Sequence, residues 1–416
     1  MHKYTILIIF SILLSGCKRG NKDIGYTVDN LGNNDTFVIE KDGYADQPYW
    51  NYMNRPFTKA GNGYYFLDTF YLKYIDENMK VHRLCSDPLC ICRNPLSIEE
   101  QREMRKNGIE IPKCKADFRK SNMIYYHNGL LYSFECDEET NMVYLISIST
   151  DGLGTIKRIC GVCPNDDDYY GTIRMVIHDD NIYVYNLAIG VGDGEKTITR
   201  YSLNGKEKKV IARFKGYMVH ISSVKSYGNK LFYIIEEMTD ENNPTKTHTD
   251  GVYVYDYNTE ETVRILTKNV NDFAVDEENN LIYYYITGDG LYKNPLDKKG
   301  TEGAVKLYNA TDETYCCEIS YDGRYVYLNN EKFLARSLSK TWSYTLVLDA
   351  DGAIINQINE SDSAIFGDEK YTFINKPYKQ AGDDWDNDIK YIEKSQVPTA
   401  KYEDFKSFQY VTEGDE

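Results

Sequence analysis

The sequence predicts an all-β fold, a β-propeller of about seven four-stranded blades, on three observations. Short strands rich in Tyr, Val and Ile alternate in polarity and are separated by Asp-Gly, Asn-Gly or Asn-Asn turns. The pattern recurs about every 40 to 50 residues, with four strands per copy and copies starting near 123, 172, 220, 270, 316 and 363. The 416-residue chain holds 39 Tyr against 15 Phe and 3 Trp, and Tyr suits a half-buried pleated surface with its ring packed and its hydroxyl wet. A lone four-stranded sheet cannot bury both faces. Copies stacked radially bury them against neighbours and leave only short edges. A pair of β-sandwiches is the alternative, and it does not account for the regular period.

The clearest copy spans 172–214. It reads as strands Thr172–His178, Ile182–Asn186, Thr197–Ser202 and Lys209–Phe214, with turns at Asp179–Asn181 and Leu203–Gly205. Copies in the same order occupy 122–160, 220–266, 271–308 and 316–358. A weaker last copy contains Lys370–Ile374 and Ile389–Glu393, and an incomplete first one contains Gly63–Leu67, Phe70–Tyr74 and Val81–Leu84. That makes seven blades, with six or eight left open by the weak terminal copies. Many propellers complete one blade with a strand from the far terminus; Asp35–Ile39 and Phe405–Val411 are the segments available here.

The N-terminus carries a different signal. His2 and Lys3 precede an apolar run from Tyr4 to Leu14, about half the roughly 20 residues of a membrane-spanning helix. A charged start, a short apolar stretch and small residues describe a signal peptide. The run ends Leu14-Ser15-Gly16-Cys17, which resembles the bacterial lipobox. The resemblance implies a leader over 1–16, lipid on the Cys17 thiol, and anchoring to the extracytoplasmic face of the cell membrane. Two or more acyl chains suffice for stable anchoring. Residues 17–35 lack apolar periodicity and read as a flexible tether, leaving 36–416 for the propeller. The net charge of −16 gives no long-range attraction to nucleic acid or anionic lipid.

Nine cysteines remain beyond Cys17: 85, 90, 92, 114, 136, 160, 163, 316 and 317. An odd number leaves at least one free thiol if the rest pair. The densest group is Cys85-Ser-Asp-Pro-Leu-Cys90-Ile-Cys92, with Cys114 further on, in a polar insertion at about 85–118 between the first two copies. Within it, Ile98–Asn107 has the composition of a short charged helix. The chain here resembles a group of bacterial lipoproteins with Tyr-rich propeller repeats and a Cys-x-Asp-Pro-x-Cys-x-His motif just past an early blade. Cys85, Asp87, Pro88 and Cys90 match that motif, and Cys92 stands where the His would be. His and Cys are both good zinc ligands, so the exchange suits a metal site. Three readings stay open for Cys85, Cys90, Cys92 and Cys114: structural zinc, disulfides, or free thiols. The resemblance implies architecture and location and carries no assigned activity.

Weaker features complete the inventory. Cys160-Gly161-Val162-Cys163 lacks the βαβ context of a redox motif and reads as a local disulfide or tight turn. Cys136 reads as packing, and one of Cys316 and Cys317 as core. Asp384, Asp386 and Asp388 alternate but lack the Gly and Glu of a calcium loop. The loop Gly190–Gly194 reads as a flexible hairpin connection, and no nucleophile-elbow, zinc-protease or phosphate-loop motif occurs. His127, His178 and His220 lie in or beside the first strand of their copies. Their convergence with carboxylates around the channel would favour an extracellular polymer-acting hydrolase or lyase; scattered positions would favour a non-enzymatic binding or scaffold module for a protein, peptide or glycan. The latter is the expectation.

Overall fold

The computed structural model describes residues 57–68, 71–85, 90, 96–110, 114, 116, 123–137, 139–150, 155–164, 173–186, 193–217, 219–238, 247–267, 269–276, 279–296, 298, 300–310, 315–333, 340–359, 364–377 and 387–411. They form seven antiparallel sheets, each a meander running outward from a central axis. Blade 1 is β1 (Phe57–Ala60), β2 (Gly63–Asp68), β3 (Tyr71–Ile75) and β4 (Lys80–Arg83), followed by helix α1 (Ile98–Lys106). Blade 2 is β5 (Ile124–His127), β6 (Leu130–Asp137), β7 (Met142–Ser149) and β8 (Ile156–Pro164). Blade 3 is β9 (Ile173–His178), β10 (Asn181–Asn186), β11 (Asp193–Ser202) and β12 (Lys208–Tyr217). Blade 4 is β13 (His220–Tyr227), β14 (Lys230–Met238), β15 (Thr247–Asp256) and β16 (Thr262–Leu266). Blade 5 is β17 (Asp272–Asp276), β18 (Leu281–Ile286), β19 (Gly290–Pro295) and β20 (Val305–Asn309). Blade 6 is β21 (Tyr315–Tyr321), β22 (Val326–Phe333), β23 (Lys340–Leu348) and β24 (Ile354–Asn359). Blade 7 is β25 (Ala364–Gly367), β26 (Tyr371–Pro377), β27 (Asn387–Glu393) and β28 (Lys406–Ser407).

Burial follows radius. The inner strands β9 and β13 are buried at every residue, whereas the outer β8 has no fully buried residue. Seven apolar clusters form among the described residues, each spanning two neighbouring blades. The last joins Phe373 and Ile389 of blade 7 to Phe57, Tyr64, Phe66 and Ile75 of blade 1, closing the ring. The incomplete first copy is completed by β1, which the alternation pattern had not revealed. The C-terminal segment serves as a clasp: β28 completes blade 7, and β29 (Gln409–Tyr410) adds in parallel outside β4 as a fifth strand of blade 1. Between them Phe408 stacks on Tyr391 at 5.1 Å. Of the two closure segments considered from the sequence, Phe405–Val411 does the work, and Asp35–Ile39 lies outside the described residues.

The wheel has two unlike faces. Six of the inner strands join the second through a turn of two to four residues, at 61–62, 128–129, 179–180, 228–229, 322–325 and 368–370, and in blade 5 β17 ends at Asp276 and β18 starts at Leu281. Asn128 and Gly129 both have positive φ, at 48° and 80°, as a two-residue hairpin matched to strand twist requires. In blades 5 to 7 the turn opens with Asp276, Asp322 or Asp368, all buried. Oδ1 of Asp322 accepts the backbone N–H groups of Arg324 (3.0 Å) and Tyr325 (2.8 Å). Its Oδ2 accepts the hydroxyls of Tyr327 (2.5 Å) and, from blade 7, Thr372 (3.2 Å). Asp368 repeats this with Lys370 and Tyr371 and accepts the Tyr64 hydroxyl of blade 1. Part of the Tyr excess therefore ties turns to neighbouring blades. The connections from third to fourth strand return to this same face, and the opposite face carries those from second to third strand and from blade to blade, the longest of which is 84–123.

Candidate metal centre

The longest connection joins β4 to β5 and contains the cysteine insertion. Cys85 follows β4 directly, and Cys90 lies five residues on. α1 then turns the chain back toward Cys114. α1 is started by a capping box, with the Ser97 side chain accepting from Glu100 N–H and the Glu100 carboxylate accepting from Ser97 N–H. Acidic residues occupy its first turn and basic ones its last, as the helix dipole favours. It ends at Lys106, one residue short of the predicted segment.

This hairpin brings Cys85, Cys90 and Cys114 together, with all three sulfurs within 4.8 Å of one another. Cys114 is buried and the other two are half-buried; none of the three is in a disulfide. The Ala116 N–H donates to the Cys114 sulfur at 3.2 Å, and the Ala116 carbonyl accepts the Leu72 N–H of β3 at 2.9 Å. The insertion is thus stitched to blade 1 beside its thiols. The wall around them is apolar, built from Leu67 and Leu72 of blade 1 and Ile124, Leu131 and Ile146 of blade 2, with Leu84 and Leu96 packed against it.

Three soft thiols at one point suit a thiophilic metal better than a disulfide, which would use two and strand the third. Zinc–thiolate bonds of about 2.3 Å in tetrahedral geometry place sulfurs roughly 3.8 Å apart, within the observed spread. The N–H···S bond stabilises thiolate charge and orients the ligand, as outer partners of metal sites do. Cys85, Cys90 and Cys114 therefore fit a structural zinc ion. Cys92, the fourth ligand expected from the sequence, lies outside the described residues, as does Cys17.

The other candidates do not join this centre. His127 and His178 end neighbouring inner strands and meet on the short-turn face. Asn128 Nδ2 donates to His127 Nε2 at 3.0 Å, and the His178 ring stacks on Tyr257 at 4.1 Å. Burial lowers the His127 pKa against the opposing pull of the Asp179 carbonyl and the carboxylates of Asp180 and Asp179. His220 instead opens its strand, at the long-loop end, where its Nε2 lies 3.1 Å from Glu236, which also accepts the Ser222 hydroxyl at 2.7 Å. The three histidines thus do not share one pocket. In the Ser222–Glu236–His220 group the carboxylate sits between the other two, so the imidazole is not placed to take the serine proton.

Cys160 and Cys163 lie within β8, in neither a turn nor a disulfide. A bulge opposite Val143 and Tyr144 breaks the strict alternation between them, and both pack on the core shared by blades 2 and 3. Cys136 is half-buried at the end of β6. The side chains of Cys316, Cys317, Asp384, Asp386 and Asp388, and the loop 187–192, lie outside the described set. Sequence reasoning missed a mixed-charge cleft of about 540 Å³ on the short-turn face, lined by Asp322, Arg324, Glu369, Lys370, Glu393 and Lys394. Its residues come from three separate turns, which no local motif links.

No protein-family model matches the chain, and no curated protein matches it in sequence. Solved structures match in fold. A prolyl endopeptidase superposes with a TM-score of 0.54 at 10% identity over 86% of this chain, which spans 50% of the length of that protein. The β-propeller domain of the trilobed protease from Pyrococcus furiosus gives 0.44 at 12% identity, covering 82% of this chain and 95% of that domain. At 10% identity the likeness to the prolyl endopeptidase establishes the propeller fold alone.

Proposed function

We propose that this chain is a non-enzymatic binding or scaffold propeller, tethered to the extracytoplasmic face of the cell membrane by lipid on Cys17. Its long-loop face meets a protein, peptide or glycan partner. The observation that carries this reading is the asymmetry of the wheel. The first-to-second-strand turns, opened in blades 5 to 7 by buried aspartates, occupy one face, and the other bears the insertion between β4 and β5 with its three convergent thiols. Loops on a rigid scaffold are where binding surfaces concentrate, and a structural metal would fix the insertion's shape before a partner arrives. Pre-organisation of this kind reduces the entropy lost on binding.

The test places a photo-crosslinking residue in the full-length chain either at Glu103, exposed on α1, or at Asp351, exposed on the short-turn face. The expected result is a specific adduct from position 103 in membranes, none from 351, and release of the chain from membranes by Cys17→Ser. Equal adducts from both positions, or a Cys17→Ser chain that stays in the membrane fraction, would refute the proposal.

A further inference from the structure

The outermost strand of blade 3, β12, is ten residues long. Its outer edge pairs with no strand among the described residues. Long open edges invite pairing, and natural proteins usually shorten, cover or charge them. This one is charged with a single sign. Lys208, Lys209, Arg213 and Lys215 are exposed along it, Lys206 is exposed just before it, and Glu207 is the one acid among them. Val210 between them is 38% exposed.

The basic row continues onto blade 2. Lys157 and Arg158 are exposed on β8 beside Ile156, and the turn before β12 abuts that strand, where a Cβ on Gly205 would strike Ile159 and Cys160. Internal acids neutralise only part of this charge. Glu260 serves Lys209 and Arg200, Glu195 serves Arg213 and Lys215, and Glu135 and Asp137 hold Arg158. Lys157 and Lys206 have no acidic partner among the described residues. In a chain of net charge −16, a one-sign row along an open edge selects an acidic partner and repels another basic edge.

The wheel already shows that a blade accepts a fifth strand. β29 lies outside β4 with Gln409 opposite Lys80 and Tyr410 opposite Val81, and Val411 N–H donates to the Val81 carbonyl at 3.1 Å. On blade 1 this position is filled by the chain's own C-terminus; on blade 3 the described residues leave it open along a longer strand. We infer that the outer edge of blade 3 docks an extended acidic polypeptide, which adds as a fifth strand along β12 with carboxylates over Lys208, Lys209, Arg213 and Lys215. Main-chain hydrogen bonds supply affinity, and alternate side chains supply selectivity. This surface is the outer wall, separate from the long-loop face, so either proposal stands if the other fails.

The probe is a fluorescent peptide of about ten residues alternating Glu with Val or Thr, titrated into the full-length chain and followed by anisotropy and amide hydrogen exchange. The expected result is saturable binding with new protection of the outward-facing amides in 208–217. Reversing the four cations to Glu should weaken binding at least roughly tenfold. N-methylating alternate peptide amides, which keeps every charge, should weaken it by at least about as much, and this arm does not depend on the variant folding. The inference is overturned if the N-methylated peptide binds as well as its parent, if protection appears elsewhere, or if the parent peptide does not bind. It is also overturned if those amides are already protected in the free protein, because the edge is then covered by the chain itself.

Discussion

Replacing Cys85 by Ser removes one of the three convergent sulfurs and leaves the apolar wall of the insertion in place. The site fits zinc, so the parent protein purified under reducing conditions is expected to carry stoichiometric zinc, and Cys85→Ser to lose most of it. The magnitude follows from mass action. Apart from the metal, the described ties between insertion and wheel are its apolar packing and one backbone hydrogen bond, from Leu72 to Ala116. At free zinc about a thousandfold above the dissociation constant, binding disfavours opening of the insertion by a factor of roughly 1,000, or about 4 kcal/mol. Arg102, Arg105 and Lys106 on α1 are exposed and provide trypsin sites inside the insertion. Cleavage there tracks the open population when closing is fast, so chelation should accelerate it by up to that factor. Cys85→Ser should cut at the chelated rate with or without zinc, and Cys160→Ser should behave like the parent. Metal-free reduced protein, tryptic rates indifferent to chelation, or a native mass showing disulfides among these cysteines would refute the reasoning.

Three further outcomes follow from the packing. Asp322→Ala removes the acceptor of two backbone N–H groups and two hydroxyls and leaves the buried Lys394 ammonium, 3.5 Å away, without its carboxylate; a loss of about 3–5 kcal/mol is expected, against about 1 kcal/mol for Tyr327→Phe, both read from urea midpoints. Gly251→Ala puts a Cβ 1.9 Å from the Leu266 carbonyl oxygen at φ +131°, so a loss of at least about 3 kcal/mol is expected, with thermal unfolding as the readout. The Glu236 pKa is lowered because the hydrogen bonds and charge of His220 and the Ser222 hydroxyl outweigh burial, which raises it. A depressed carboxylate stabilises the fold above its unfolded value of about 4.3 and loses that contribution as the pH falls through the folded value. The urea midpoints of parent and Glu236→Gln should therefore differ most near pH 7 and converge as the solution is acidified below about pH 4.

The wheel was legible in the sequence because its determinants are local and repeated. Alternation marks most strands, turn pairs such as Asn128-Gly129 and Asp322-Gly323 mark some hairpins, and the period counts the blades. β1 was not legible, since Phe57-Thr-Lys-Ala60 is four residues without a clear apolar alternation. The sequence grouped Cys114 with Cys85 and Cys90, which the structure bears out; it did not show how Cys114 returns, by way of α1 and the hydrogen bond from Leu72 N–H to the Ala116 carbonyl. The Asp-Gly turn at Asp322 was visible; its second oxygen's bond to Thr372, fifty residues on, was not, because no periodicity encodes a bond between blades. The Cys160 and Cys163 pair was misjudged because a bulge in mid-strand carries no compositional mark. The cations of β12 stand out in the sequence, yet only the topology places them on an open edge.

The position of the thiol centre separates two kinds of stability that one unfolding curve would merge. Each core cluster is shared by two blades, and among the described residues only the cluster between blades 1 and 2 draws on the insertion, with Cys85, Cys90, Cys114 and Ala116 against Leu72 and Leu131. The cluster between blades 4 and 5 is built around Phe232, Phe273 and Tyr284, on the far side of the ring, and contains nothing from residues 84–123. Removing the metal should therefore release the insertion as a low-stability unit while blades 4 to 6 keep their slow-exchanging inner strands. Hydrogen exchange after chelation would show the division directly. Fast exchange confined to the insertion and the adjoining edge of β3 is the expected pattern, and loss of protection around the whole ring would mean that the metal holds the wheel itself.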